Sequence, residues 1–215
     1  MLHTLPVRRE ARGLKGKREK VGMARPKEFD PETALDRAME LFWRQGYEAT
    51  SIEDLVTHMD INRGSLYETF GDKQKLFLAC MDRYCNGMAA SRLSMLDQPG
   101  PALDTIRRFI RGKLQMALAD PTRKGCLIAN TAMELAPHEK EIGERVASAL
   151  GGLEEAYYKV LIRAKKHGEL RKDQDPRALA RYLTTMMQGV IVMYKAGTSA
   201  EALRDIVETG LSVLD

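Results

Sequence analysis

The stretch "DINRGSLYETFGDKQKLF", residues 60–77, limits what this chain can fold into more than any other. Asn62 is a capping residue, and the helix it opens is closed by Gly71 after little more than two turns. Asp72 then caps another helix that begins with Lys73 and Lys75. A core helix is longer and more evenly apolar, so this short one is read as made for presentation. Upstream, Thr50-x-x-Glu53 reads as a capping box. Ile52, Leu55, Val56 and Met59 follow it at helical spacing. The pattern predicts a supporting helix over 51–58, a turn over 59–61 and a short helix over 62–70, all packed on a helix at 31–46. Asp30-Pro31-Glu32 opens that first helix and Gly46 ends it. In the short helix Leu66 and Phe70 face inward. Arg63 and Tyr67 face elsewhere, and Gly64 and Ser65 keep that outward surface small. A DNA major groove admits such a helix, and its N-terminal dipole favours phosphate. Lys73 and Lys75 would clamp phosphate beside it. The plainer alternative is an ordinary helical hairpin.

The remaining pattern is also helical. "DQPGP", 97–101, is the first clear break. Helices are predicted at about 72–95, 101–119, 126–136, 138–167, 176–196 and 199–214, with Gly151-Gly152 a candidate kink. No segment longer than a few residues has the strand period. Hydrophobic residues at 44% suffice for a packed core and argue against global disorder. No apolar run approaches the roughly 20 residues that span a bilayer, and no h-region marks a secretory signal. Three cysteines, an odd number, argue against a disulfide framework and for a reducing cytoplasm.

The net charge of +4 is uneven. Residues 1–27 hold nine Lys/Arg and two acids, a net of +7, leaving about −3 for the rest by difference. A basic arm on an acidic body suits nucleic acid. A soluble disordered tail is a second reading, and Met23 as the true start, with residues 1–22 upstream of it, is a third. The expected organisation is a disordered arm over 1–27, a DNA-binding domain over 28–75 and a further helical domain over 76–215.

The run "GYEATSIEDLVTHMDINRGSLYETFGDKQKLF" closely resembles the DNA-binding domain of the TetR family of bacterial transcription regulators, over about residues 28–80. The resemblance implies an all-α dimer: an N-terminal three-helix helix-turn-helix domain and a larger C-terminal helical domain for ligand binding and dimerisation. Carried across by position, it places Thr50 and Ser51 at the phosphate-touching start of the supporting helix. It places Arg63, Gly64, Ser65, Tyr67 and Thr69 on the reading helix, and Lys73 at the phosphate-binding start of the connecting helix. Arg25 and Lys27 would add charge beside them. Glu53 departs from the basic residue common in relatives. Glu68 departs too, and either accepts from a cytosine amino group or is simply solvated. The implied function is a ligand-responsive regulator, expected to be a repressor. It would bind a palindromic operator as a cytoplasmic homodimer, and a small effector would release it.

Leu179, Tyr182, Leu183, Met186, Met187, Val190, Ile191 and Tyr194 form a wide apolar face on helix 176–196. With helix 199–214 it resembles the family's dimerising pair; burial inside one subunit is the alternative. Cys126 begins a helix after Arg123, Lys124 and Gly125, a setting that favours thiolate. It is read as a redox or electrophile sensor or as a small buried capping residue. Asn130 and Met133 on the same helix, and Met187, are candidate pocket residues. His3, His58, His138 and His167 are scattered without metal spacing. No cofactor, metal or catalytic constellation is expected, and a helical protein-binding adaptor is the remaining alternative.

Overall fold

A computed structural model describes residues 29–215. Every regular element among the described residues is helical. The chain runs α1 (Pro31–Gln45), α2 (Ile52–Met59), α3 (Arg63–Phe70) and α4 (Lys73–Tyr84), then a π-turn over Cys85–Ala89 and α5 (Ala90–Leu93). A 3-10 turn over Ser94–Asp97 leads to α6 (Ala102–Leu118), α7 (Leu127–Glu134), α8 (Lys140–Lys166), α9 (Pro176–Lys195) and α10 (Ala200–Leu211).

Local sequence chemistry sets most helix starts. Asp30 accepts from Glu32 N and Thr33 N ahead of Pro31. Asn62 accepts from Ser65 N, Asp72 from Lys75 N, Asp175 from Arg177 N and Ser199 from Ala202 N. Each satisfies an amide that the helix itself leaves unpaired. The start of α2 corrects the expected register by one residue. The capping box is Ser51 with Asp54: Asp54 N donates to Ser51 Oγ at 3.0 Å, and Ser51 N donates to Asp54 Oδ2 at 2.9 Å. Thr50 is fully buried instead. Its hydroxyl donates to Gly46 O at 2.6 Å and accepts from Gln45 Nε2.

The long helix expected over 72–95 is interrupted. Asn86 and Gly87 are weak helix formers, and the backbone there loosens into the π-turn. π-turns are frequent at functional positions. Conversely, α8 runs unbroken through Gly151 and Gly152.

Two apolar cores form. The first joins α1 to α4 with α7 and the start of α8, through residues such as Phe42, Leu55, Leu66, Phe77, Ile128 and Val146. The second joins α6, the rest of α8, α9 and α10, through Ile106, Tyr157, Leu183 and Val207. α4 crosses position 75 as one helix and packs its later residues, Leu76 to Tyr84, in the first core.

Candidate functional site

The outward surface of α3 is built from small and polar groups. Leu66 is fully buried whereas Tyr67 is 41% exposed, so the helix presents the face expected of it. Arg63 lies beside Tyr67, its guanidinium carbon 5.8 Å from the ring centroid. Gly64 is exposed, Ser65 and Thr69 are half-buried, and Ser51 is exposed at the start of α2. Thr50 drops out of the phosphate-touching set, because its side chain is sealed inside the α1–α2 turn. Arg25 and Lys27 lie outside the described residues.

Two contacts that the sequence did not announce hold the charged groups. Arg63 donates to Glu53 Oε1 at 2.8 Å, so the acid flagged as a departure pairs with the leading basic residue of the face. Lys73 Nζ sits 4.2 Å from the centroid of the Tyr47 ring. Tyr47 in turn packs on Phe42 and Phe77. A cation over an aromatic face keeps its charge exposed to an incoming anion while its position is fixed.

The turn that leads into α2 is clasped from a distance. The Glu134 carboxylate, at the end of α7, accepts from Tyr47 N at 3.1 Å and Glu48 N at 2.9 Å. Gly46 has φ +90°, and an added Cβ would come within 2.9 Å of that carboxylate, so conformation and space both select glycine. At the other end of the same segment, Trp43 Nε1 donates to Gly125 O at 3.1 Å. Lys124 Nζ pairs with Glu40 at 2.8 Å and lies over the Trp43 ring at 4.4 Å. The segment 124–134 is therefore tied to α1 at one end and to the α1–α2 turn at the other.

That segment also forms one wall of a cavity of about 390 Å³. Trp43, Tyr84, Phe109, Leu153, Ile191 and Tyr194 supply apolar surface, and Cys85, Arg92, Lys113, Cys126 and Gln188 supply polar groups. Volume and lining suit a small organic ligand. Cys126 is the N-cap of α7, and its thiol lies 3.6 Å from the Tyr84 hydroxyl. Burial first, and the neighbouring Cys126 second, push the Tyr84 pKa well up. Burial likewise pushes up the thiols of Cys85 and, more strongly, Cys80. The two cations before Cys126 are directed elsewhere: Arg123 lies over Tyr194, and Lys124 lies over Trp43.

Three expected pocket residues lie outside this cavity. Met187 is fully buried in the second core. Asn130 donates to Lys124 O at 2.9 Å and, with the 59% exposed Met133, lines a separate shallow groove against α9. Helical spacing turns both away from the side that Ile128 faces.

Of the apolar face expected on α9, Leu179, Leu183, Met187, Val190, Ile191 and Tyr194 are consumed inside the subunit. What remains outside is a narrower stripe of Tyr182, Met186, Gly189 and Met193, with Ile206 and Thr209 on α10. Gly210 lets α10 close on it, since an added Cβ would overlap the Met186 sulfur.

No group of three His, Cys, Asp or Glu placed to hold a metal occurs among the described residues. No helix among them is long and apolar enough to cross a membrane.

Residues 34–80 match the family "Bacterial regulatory proteins, tetR family", and residues 102–209 match "Tetracyclin repressor-like, C-terminal domain". The chain is 41% identical over 195 residues to the uncharacterized HTH-type transcriptional regulator YezE of Bacillus subtilis, covering 90% of this chain and 100% of that one. It is 32% identical to the HTH-type transcriptional repressor ComR of Escherichia coli, covering 89% and 92%. Among solved structures it resembles a cysteine mutant of the TetR family regulator CifR complexed with operator DNA. The TM-score is 0.80 at 30% identity, over 87% of this chain and 98% of that one.

Proposed function

We infer, for a chain that belongs to the TetR family of bacterial transcription regulators, a repressor that binds a palindromic operator as a homodimer and leaves it when a small effector fills the cavity. The observation that carries the DNA reading is the face of α3. Arg63, Gly64 and Tyr67 stand outward, with Ser51 and Lys73 at flanking helix N-termini. Arg63, Ser65, Tyr67 and Thr69 would meet base edges and sugar, and Gly64 would let the backbone close on the groove. Ser51 and Lys73 would hold phosphate, Lys73 from its seat on Tyr47. The two α3 helices of a dimer would enter successive major grooves about 34–36 Å apart.

The clasp on segment 124–134 supports the release step. A ligand that displaces Cys126 or Ile128 displaces the same segment that holds Trp43, Glu40 and the α1–α2 turn. Release requires only that the effector bind the displaced arrangement better than the DNA-bound one. The thiol route is a second reading, favoured by one observation: Cys126 opens onto the cavity. An adduct there would act as a tethered effector.

The test is a gel shift on the DNA upstream of the chain's own gene, at several salt concentrations. Lys73→Ala should weaken binding to all sequences alike and reduce the salt slope by about one unit. A footprint on a single asymmetric half-site would refute the dimeric reading. Cys126→Ser should abolish release by a small maleimide, if the thiol route operates. Release that persists in that variant would dismiss it.

A further inference from the structure

Lys113 and Arg92 both line the cavity, and neither side chain has a hydrogen bond or ion pair with another described residue. Lys113 Nζ lies 5.7 Å from the Phe109 ring centroid. The acid in the same lining, Asp120, is already engaged. Its two carboxylate oxygens accept from Thr122 N at 2.9 Å, from the Thr122 hydroxyl at 2.6 Å and from Lys124 N at 3.4 Å. Gln188 adds a polar group whose Oε1 is buried with no partner among the described residues. An unmet buried polar atom marks a place where a partner belongs, and the amide turned over offers N–H to an anion. Phe109, Leu153 and Ile191 add hydrocarbon surface to the same lining.

We propose that the cavity takes a small organic carboxylate, its anion held between Lys113 and Arg92 and its hydrocarbon body against Phe109, Leu153 and Ile191. The proposal names the ligand class of the effector site inferred above and rests on that reading. Two like charges facing one apolar space repel each other, and a single anion between them removes the repulsion and satisfies both. Burial pushes the Lys113 pKa down, with Cys126 opposing and Arg92 adding to it.

Trp43 is the single tryptophan of the chain and lies in the cavity wall, so its fluorescence reports occupancy. The full-length protein is titrated with phenylpropionate, phenylpropionamide and phenylpropylamine, and with the straight-chain acids from butyrate to octanoate. At least one acid should bind, and phenylpropionate should bind about tenfold more tightly than its amide, the worth of a charge-assisted pair. The amine should bind more weakly still. Lys113→Gln and Arg92→Gln should each erase the preference for acid over amide while leaving amide affinity within about twofold. Equal binding of acid and amide, a preference that survives both substitutions, or failure of every acid to bind would overturn the proposal. A parallel gel shift separates the two readings. An acid that binds with the stated preference but leaves the operator complex intact supports the carboxylate site and refutes its role as effector site. Release by the amide but not by the acid refutes the carboxylate while the effector cavity stands.

Discussion

Arg63 is the leading basic group on the reading face, and Glu53 holds it from the neighbouring helix. Both side chains are more than half exposed, so the pair adds little stability and yields readily to a better partner. Glu53 also sets a negative charge where phosphate would approach. Glu53→Ala should therefore raise operator affinity several-fold in a gel shift at fixed salt. A fall in affinity would mean that Glu53 itself contacts a base. Two adjacent residues on α3 separate stability from recognition. Leu66 is fully buried and Leu66→Ala should cost roughly 2–5 kcal/mol. Tyr67→Ala should leave the thermal midpoint nearly unchanged and weaken the operator complex. Equal losses of midpoint in the two variants would contradict the orientation of the helix.

At the scale of elements, two pairs of helix or turn amides are capped by carboxylates far away in the chain. Glu134 holds the turn before α2. Glu169 accepts from Ala102 N at 3.0 Å and Leu103 N at 2.9 Å, where α6 starts behind Pro101 with no cap of its own. Burial raises the Glu169 pKa, but these two bonds, with His167 and Arg163 nearby, outweigh it and hold the carboxyl below its usual range. A group depressed on folding stabilises above its unfolded pKa and loses that contribution as pH falls through the folded one. Glu169→Gln should thus lower the midpoint at neutral pH and converge with the parent protein in acid; a constant difference across pH would dismiss the charge. Caps of this kind explain what was legible. Asp30, Asn62 and Asp72 sit beside the amides they serve, so the sequence announced them. Glu134 and Glu169 serve partners more than sixty residues away, and no local pattern encodes that. The α2 cap was misread by one residue because Thr50 and Ser51 both suit the role, and only burial of Thr50 decides. The cavity was nearly invisible for the same reason as the distant caps. Trp43, Tyr84, Lys113 and Gln188 come from four helices, and Cys126 alone stood in a context that drew notice.

At the scale of the molecule, the two subunits of a dimer would meet on the exposed stripe of α9 and α10. Tyr182, Met186, Gly189 and Met193 share one face of α9 by helical spacing, and Ile206 stands beside Thr209 on α10. Met193→Glu with Ile206→Glu, both at exposed positions, should yield folded monomers by sedimentation and forfeit most operator affinity. A dimer that survives would assign the contact to another surface. α8 has a consequence of a different order. Its 27 residues make a rod of about 40 Å. Ile142 and Val146 anchor its beginning in the first core, and Leu153 through Ala164 anchor the remainder in the second. α8 loses the burial of Ile142 and Val146 if the first core dissolves, and of Leu153, Tyr157, Val160, Leu161 and Ala164 if the second does. Two structural regions are thereby fused into one cooperative folding unit. Heat capacity scans of the non-dimerising variant should show a single transition, with the recognition region gaining resistance to unfolding from the effector region it shares a helix with.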